Sequence, residues 1–250
     1  MDVKNKVVLV TGGARDIGRA ISIKLASMGA SVAVNYFDNP VDAEETVKTI
    51  TAAGGKAIAI QADVTKTAEV QRLVGETIKA FGPAIHGLVN VAGGLVGRKK
   101  VEDMEEEFWD LVIDLNLKSV YLVTKAVVPH MPDGGAIVNF SSQAARDGGG
   151  FGAIAYSSAK GGVMTFTRGL AKELGPRKIR VNALAPGMIN TTFHNTFTKP
   201  EVRQKVAAST PLGREGEARE IAELAAYLLS DAASFVTGTN VDINGGTYFS

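Results

Sequence analysis

The chain contains no cysteine. That absence removes disulfides, thiolate metal sites and cysteine nucleophiles together, and it points to a reducing, cytoplasmic setting. Histidine is nearly as scarce. His86, His130 and His194 lie far apart and match no ligand spacing, so no metal site is expected. Charge of one sign is missing too. Lys and Arg total 27 against 26 Asp and Glu, a formal net charge of +1, which lacks the basic excess of a nucleic-acid binder. No run approaches the roughly 18 apolar residues of a membrane span, and residues 1–6 open no apolar leader, so neither membrane attachment nor secretion is expected. The 28 glycines follow no triplet period and proline numbers only eight, which excludes a collagen-like chain. With 45% hydrophobic and 21% charged residues among 250, what remains is one large globular domain spanning residues 1–250.

Short β-branched runs alternate with longer amphipathic ones. Residues 7–10, 31–36, 57–60, 88–91, 136–140, 179–184 and 240–243 read as strands, several apolar on both faces. Between them, apolar residues recur at helical spacing, as in Ile17, Ala20, Ile21, Leu25 and Met28 before Gly29. Further helices are expected over 40–53, 67–81, 105–130, 153–174 and 216–229. Seven strands joined by helices give an α/β class: a doubly wound, seven-stranded parallel sheet with helices on both faces, Rossmann-like, in a single domain. Residues 187–212 break the alternation. A long connection of this kind is expected to be a substrate-loop insertion, and its Met188, Phe193, His194 and Phe197 suit a pocket lid.

The first strand runs into Thr11-Gly12-Gly13-Ala14-Arg15-Asp16-Ile17-Gly18, which opens the first helix. Glycines there permit a tight turn and close backbone approach, and the helix N-terminus offers free N–H groups to a diphosphate. An ordinary glycine-rich turn would look similar taken alone. The end of the second strand carries Tyr36 where an NAD-binding chain usually places an acid for the ribose 2′-hydroxyl, and Asp38 comes two residues late. Arg15 is placed to meet a 2′-phosphate. NADP(H) is therefore the expected cofactor, with NAD(H) as the alternative.

Chance alone yields about 0.3 Tyr-x-x-x-Lys pairs from this composition, so the motif carries little by itself. Two occur. Tyr121 and Lys125 sit in an apolar run (Val120, Leu122, Val123), where core packing of the tyrosine is expected. Tyr156 and Lys160 follow a strand ending in Ser141-Ser142 and a glycine-rich loop at 148–152. Strand ends of a parallel sheet are where ligands bind, so Ser142, Tyr156 and Lys160 are expected to share one crevice with the glycine turn. An ammonium one turn from a phenol favours the phenolate and lowers its pKa from about 10. Ser142 can hydrogen-bond a carbonyl oxygen as it gains charge; a strand-end cap is its bland alternative.

The motifs in order resemble the short-chain dehydrogenase/reductase family over essentially the whole chain. They are Thr11-Gly12-x-x-x-x-Ile17-Gly18, Asp63-Val64, Asn90-Val91-Ala92-Gly93, Asn116, Ser142, Tyr156-x-x-x-Lys160, Pro186-Gly187-x-Ile189-x-Thr191 and Asn244-Gly245-Gly246. None is distinctive alone; the set in this order is. The resemblance implies hydride transfer between a nicotinamide and a ketone or secondary alcohol. It implies Tyr156 as acid–base residue and Lys160 as the holder of the nicotinamide ribose that depresses the Tyr156 pKa. Ser142 would hold the substrate oxygen, and Asn116 a water in a relay through Lys160. Asp63 and Val64 would meet the adenine and Asn90 would brace the sheet. Ala92 and Gly93 would line the cofactor beside Pro186 and Gly187, with Ile189 and Thr191 on the carboxamide. The likeness extends to 3-oxoacyl-carrier-protein reductases. Members that dock that acidic carrier generally present basic residues near the fifth strand, where this chain has Pro132-Asp133-Gly134-Gly135, so small ketones are expected ahead of carrier-linked substrates.

One position departs from the family pattern: Asp16 stands where the middle glycine is usual. A carboxylate near a diphosphate is unfavourable by Coulomb repulsion, yet it suits a helix N-terminus as a cap, and Arg15 and Arg19 flank it. On this reading Asp16→Gly tightens cofactor binding modestly. Two other classes compete with the reductase: a non-catalytic NADP(H)-binding regulatory protein on the same fold, and a methyltransferase. The full Asn116, Ser142, Tyr156 and Lys160 set favours the reductase. Finally, apolar residues cover nearly the whole circumference between Leu111 and Val128, so a homodimer or homotetramer through helix 105–130 is expected.

Overall fold

The structure is a computed structural model that describes residues 3–249. In chain order it runs β1 (Val7–Thr11), α1 (Asp16–Ser27), β2 (Ser31–Tyr36), α2 (Pro40–Ala52), β3 (Lys56–Gln61), α3 (Thr67–Phe81), β4 (Gly87–Asn90), α4 (Glu106–Ile113) and α5 (Ser119–Val127). The second half runs β5 (Ala136–Phe140), α6 (Ala144–Asp147), α7 (Ile154–Leu174), β6 (Arg180–Pro186), β7 (Ile189–Asn190), α8 (Thr192–Phe197), α9 (Pro200–Ser209), β8 (Gly216–Glu217), α10 (Ala218–Leu229) and β9 (Asn240–Ile243). No helix among the described residues is long and apolar enough to cross a membrane.

Seven strands form one parallel sheet in the order β3-β2-β1-β4-β5-β6-β9. From β1 the chain first moves outward through β2 and β3, then returns to β4 on the other side of β1 and continues to β9. The reversal lies between β1 and β4, where a doubly wound sheet opens a crevice beyond its strand ends. Register puts Thr11 beside Asn90 and Asn90 beside Asn139, so the carboxyl ends of β1, β4 and β5 stand in one row.

The strand residues alternate between two cores. Val8, Val10, Val34 and Val138 pack with Ile21 and Leu25 of α1 and Ile221, Ala225 and Leu228 of α10. Leu9, Ala33, Leu88 and Ile137 face the other way, onto Leu73 and Val74 of α3 and Val123 and Val127 of α5. This double burial is why β1, β4 and β5 read as continuous apolar runs. A fully buried leucine such as Leu9 or Leu25 contributes about 1.5–3 kcal/mol by leaving water.

Three expectations are corrected. The stretch 105–130 is not one α-helix: a π-helical turn, Asp114–Lys118, separates α4 from α5 and carries the buried Asn116. Its apolar residues do not all face outward or round the helix. Val112, Val120, Val123 and Val127 are buried, while Leu111 is 51% exposed. Tyr121 is no core residue; it is 44% exposed and its hydroxyl accepts from Lys125 Nζ at 3.3 Å. Lys118 and Lys125, three before and four after it, mark this wet face. Residues 187–212 are also more regular than expected. They hold α8 and α9, and β7 pairs in parallel with β8.

Candidate active site

The glycine turn is braced from beneath. Gly12 has φ +61° and its N–H donates to Asn35 Oδ1 at 3.2 Å, while the Gly13 N–H donates to the Asn35 carbonyl at 2.9 Å. Asn35 Nδ2 donates to the carbonyls of Ala62 (3.1 Å) and Ile60 (3.4 Å). This buried side chain thus ties β1, β2 and β3 together under the turn. A Cβ on Gly18 would overlap the Gly12 carbonyl oxygen, so only glycine lets α1 start this close to the turn. Thr11 Oγ1 accepts from the Ala92 N–H at 3.2 Å, joining the turn to the β4 end.

Asp16 has φ +50°, the left-handed region that suits the family's glycine and that Asp tolerates better than most residues. It is not a cap for α1. The N-cap position is Arg15, which makes no side-chain cap bond. The Asp16 carboxylate instead accepts from the Thr192 N–H at 3.0 Å and from the Thr192 hydroxyl. Arg19 does not neutralise it, because Arg19 reaches Glu45 at 3.6 Å and Thr49 at 3.4 Å. Arg15 is exposed, and among the described residues no carboxylate lies in ion-pair range of it. Tyr36 is partly buried at the end of β2. Asp63 caps its own turn, accepting from the Thr65 N–H at 2.9 Å and hydroxyl at 2.6 Å, beside buried Val64.

At the next strand ends, Asn90 Nδ2 donates to Asn139 Oδ1 at 2.9 Å and Thr124 Oγ1 at 3.3 Å. Asn139 Nδ2 continues to Thr167 on α7 at 2.9 Å. This buried chain fixes α5 and α7 to the sheet. Asn116 is held as tightly. Its Oδ1 accepts from the Gly94 N–H at 3.0 Å, and its Nδ2 donates to Gly94 (2.8 Å) and Val112 (2.9 Å) carbonyls. Gly93 lies between Asn116 and Lys160: a Cβ there would sit 2.7 Å from Asn116 Oδ1 and 3.1 Å from Lys160 Nζ. The π-helical turn is what turns Asn116 into this contact, and such turns recur at functional sites.

Ser142 follows β5, and its Oγ accepts from the Ala144 N–H at 3.1 Å in a local turn before α6. Tyr156 and Lys160 come from the first two turns of α7. The lysine is buried, with Nζ donating to the Phe140 carbonyl at 2.8 Å and lying 5.8 Å from the Tyr156 ring centre. Burial pulls the Lys160 pKa down to about 8. Burial also raises the Tyr156 phenol, and the hydrogen bond to Ser142 opposes that with a smaller effect. At the phenol, burial is the larger of these two opposing effects.

Beyond β6, the Gly187 N–H donates to the Ile243 carbonyl at 3.1 Å, and a Cβ on Gly187 would come 2.7 Å from Asn244 Cβ. Ile189 and Thr191 are buried, and Thr191 Oγ1 donates to the Ile189 carbonyl at 3.1 Å. Phe193 of α8 stands 6.1 Å from Tyr156, centre to centre, and packs on His194 (5.0 Å) and Phe197 (5.3 Å). His194 is drawn down to about 4, mainly by burial and then by Arg203, so it is neutral at neutral pH.

The residues named from the sequence thus gather along one edge: the turn at Gly12, Gly93 and Asn116, then Ser142, Tyr156 and Lys160, then Gly187 to Thr191. One participant went unread: Asn35, visible as a polar residue in an otherwise apolar strand.

Comparison with known proteins supplies names for similar chains. A family model described as enoyl-(acyl carrier protein) reductase matches residues 12–248. The 3-oxoacyl-(acyl-carrier-protein) reductase FabG of Staphylococcus epidermidis is 40% identical over 246 residues, covering 98% of this chain and 99% of the relative. A short-chain dehydrogenase/reductase structure from Serratia marcescens superposes with TM-score 0.93 at 34% identity, over 98% of this chain and 99% of that one. A blue fluorescent protein from a metagenomic library, solved in complex with NADPH, gives TM-score 0.92 at 33% identity over 98% and 99%.

Proposed function

The chain belongs to the short-chain dehydrogenase/reductase family, nicotinamide-dependent oxidoreductases of carbonyl and alcohol groups, and from that premise we propose that it reduces a small ketone with NADPH. The observation that carries it is the meeting of Tyr156, Ser142 and Lys160 at the end of β5, with Phe193 beside the phenol. There the phenol is the group placed to protonate a carbonyl oxygen. Ser142 steadies that oxygen as charge builds on it. Lys160, still mostly ammonium at neutral pH with its value near 8, stabilises the phenolate left behind. Asn116 holds the Gly93–Gly94 backbone against Lys160.

The bound cofactor supplies the hydride. Residues that fit it run along the strand ends. Gly12, Ile17 and Gly18 would take the diphosphate; Asp63 and Val64 the adenine; Asn90, Ala92 and Gly93 the middle; and Pro186, Gly187, Ile189 and Thr191 the carboxamide. The preference for NADPH rests on Arg15, exposed and without an acidic partner among the described residues, and on Tyr36 in place of an acid. The NADPH complex of a structural neighbour supports it.

Residues 187–212 form the substrate lid in this reading, because α8 lays Phe193 against Tyr156. An acidic carrier would meet Asp133 before β5, already engaged by Arg177 at 3.2 Å, which favours free ketones. Leu111 and Tyr121 border the exposed α3–α5 side, the face proposed for a homodimer or homotetramer.

The test is loss of reduced-nicotinamide absorbance with NADPH or NADH across small ketones, aromatic ketones and 3-oxoacyl thioesters. Turnover of ketones with NADPH supports the reading. Activity confined to thioesters would replace the substrate class, and no turnover with any carbonyl would overturn it.

A further inference from the structure

We propose that Asp16 is a positioning residue: its carboxylate fastens the start of the lid to the glycine turn, so that seating the cofactor and docking the lid become one event. The proposal rests on the nicotinamide reading of the glycine turn. Asp16 and Thr192 are 176 residues apart, yet both carboxylate oxygens are engaged by Thr192, one by its N–H at 3.0 Å and one by its hydroxyl. The flanking arginines do not take part, since Arg19 turns to Glu45 and, among the described residues, Arg15 has no carboxylate in ion-pair range.

Thr192 is where this bond has most leverage. It is the first residue of α8, directly after Thr191, and the next residue is Phe193, whose ring packs beside Tyr156. Beyond α8 the segment is tied down chiefly at Arg203, which bridges Glu215, Asn195 and Asn190. Asp16 therefore secures the end of the lid nearest the reacting atoms.

The same carboxylate sits in the turn that would hold a diphosphate. Repulsion there disfavours any carboxylate conformation that points into the turn. The Thr192 donors are the favourable alternative, so a bound diphosphate strengthens the Asp16–Thr192 bond. By reciprocity a docked lid favours cofactor binding by the same factor. This reverses the simple expectation that Asp16 only weakens cofactor binding. It also gives this chain a use for a side chain at a left-handed position where glycine would be strain-free.

Hydrogen exchange of the intact protein tests this, followed over the peptide at 192–197 with and without NADPH. Five proteins are compared: wild type, Asp16→Gly, Asp16→Asn, Thr192→Val and the Asp16→Gly, Thr192→Val double variant. Glycine suits φ +50°, so Asp16→Gly is expected to fold. Without ligand, Asp16→Gly should exchange about fivefold faster over this peptide, the size that one exposed charge-assisted pair supports, and Thr192→Val, which keeps the backbone N–H bond to Asp16, should exchange faster by less. Their combination should add nothing further. NADPH should slow the peptide most in wild type, less in Asp16→Asn, which keeps an acceptor oxygen but not the charge the diphosphate repels, and least in Asp16→Gly. Steady-state kinetics should show a raised ketone KM in Asp16→Gly with kcat changed less, and partial rescue in Asp16→Asn. Equal exchange in wild type and Asp16→Gly, or additive effects of the two changes, would overturn the proposal. Failure of wild type to bind NADPH would instead overturn the cofactor reading, and the ligand-free comparison would still decide the Asp16–Thr192 bond.

Discussion

Tyr156 and Lys160 stand one turn apart on α7, the lysine Nζ 5.8 Å from the phenol ring centre, and the same burial pushes both toward their neutral forms. The ammonium is kept by one bond, 2.8 Å to the Phe140 carbonyl.

Lys160 should leave a signature in the pH dependence of stability. Its pKa is near 8 folded against 10.5 as a free side chain. Between those values the unfolded chain binds the proton and the folded chain does not, so this residue makes stability rise with pH over that window. The burial penalty is complete below pH 8 and relieved by pH 10.5. Relative to Lys160→Met, wild type should gain about 3 kcal/mol across it, read from denaturant unfolding at several pH values. A flat difference would mean the lysine keeps its ordinary pKa. Ketone reduction should likewise fall off above about pH 8 in kcat/KM, as the ammonium that stabilises the phenolate is lost.

Asn35 is the test of the brace under the glycine turn. Asn35→Leu keeps the branched shape but strands the Gly12 N–H and the Ala62 carbonyl. We expect a loss of about 2–3 kcal/mol in unfolding free energy and about tenfold weaker NADPH binding by fluorescence titration. Unchanged binding would show that the turn holds its shape without this side chain.

The proposed NADPH preference is tested at Arg15. Arg15→Ala should weaken NADPH about tenfold, the size of one charge-assisted phosphate contact, and NADH less than twofold. Equal losses for both would mean that Arg15 does not meet the 2′-phosphate.

Much of this was readable in the chain before the structure. The inner strands declared themselves because a strand buried on both faces has no polar alternation to obscure it, as at Val7, Val8, Leu9 and Val10. Tyr156 and Lys160 were separated from Tyr121 and Lys125 by what precedes them, a strand end and a glycine loop. The misreadings have physical causes. α-Helical and π-helical turns share nearly the same apolar spacing, so the turn that carries Asn116 was invisible. Tyr121 was judged by its immediate neighbours, although residues three and four away share its face, and those are Lys118 and Lys125. α8 and α9 lack a buried stripe, and Pro200 at the start of α9 was the only local cue. The bonds of Asp16 to Thr192 and of Asn35 to the turn and to β3 exist only in the folded chain.

The exposed face of α4 and α5 should hold copies together. Val112 and Val123 are buried, so the informative changes are Leu111→Glu and Tyr121→Glu, which place charge on the surface without cutting the core. Sedimentation at micromolar concentration should show wild type above the 26.2 kDa of one chain and the double variant shifted toward it. A wild-type monomer, or a double variant that assembles normally, would contradict this interface.

The central claim is that Tyr156 donates the proton to the ketone oxygen, and one substitution addresses it. Tyr156→Phe removes the hydroxyl and leaves the ring beside Phe193 and over Lys160. Single-turnover reduction of the best ketone substrate, with NADPH affinity measured on the same protein, should show the rate reduced about 10²–10⁴-fold and the affinity nearly unchanged. Retention of more than about a tenth of the wild-type rate, with the cofactor still bound, would contradict the account, because the lost acid would then not be the one the reaction uses.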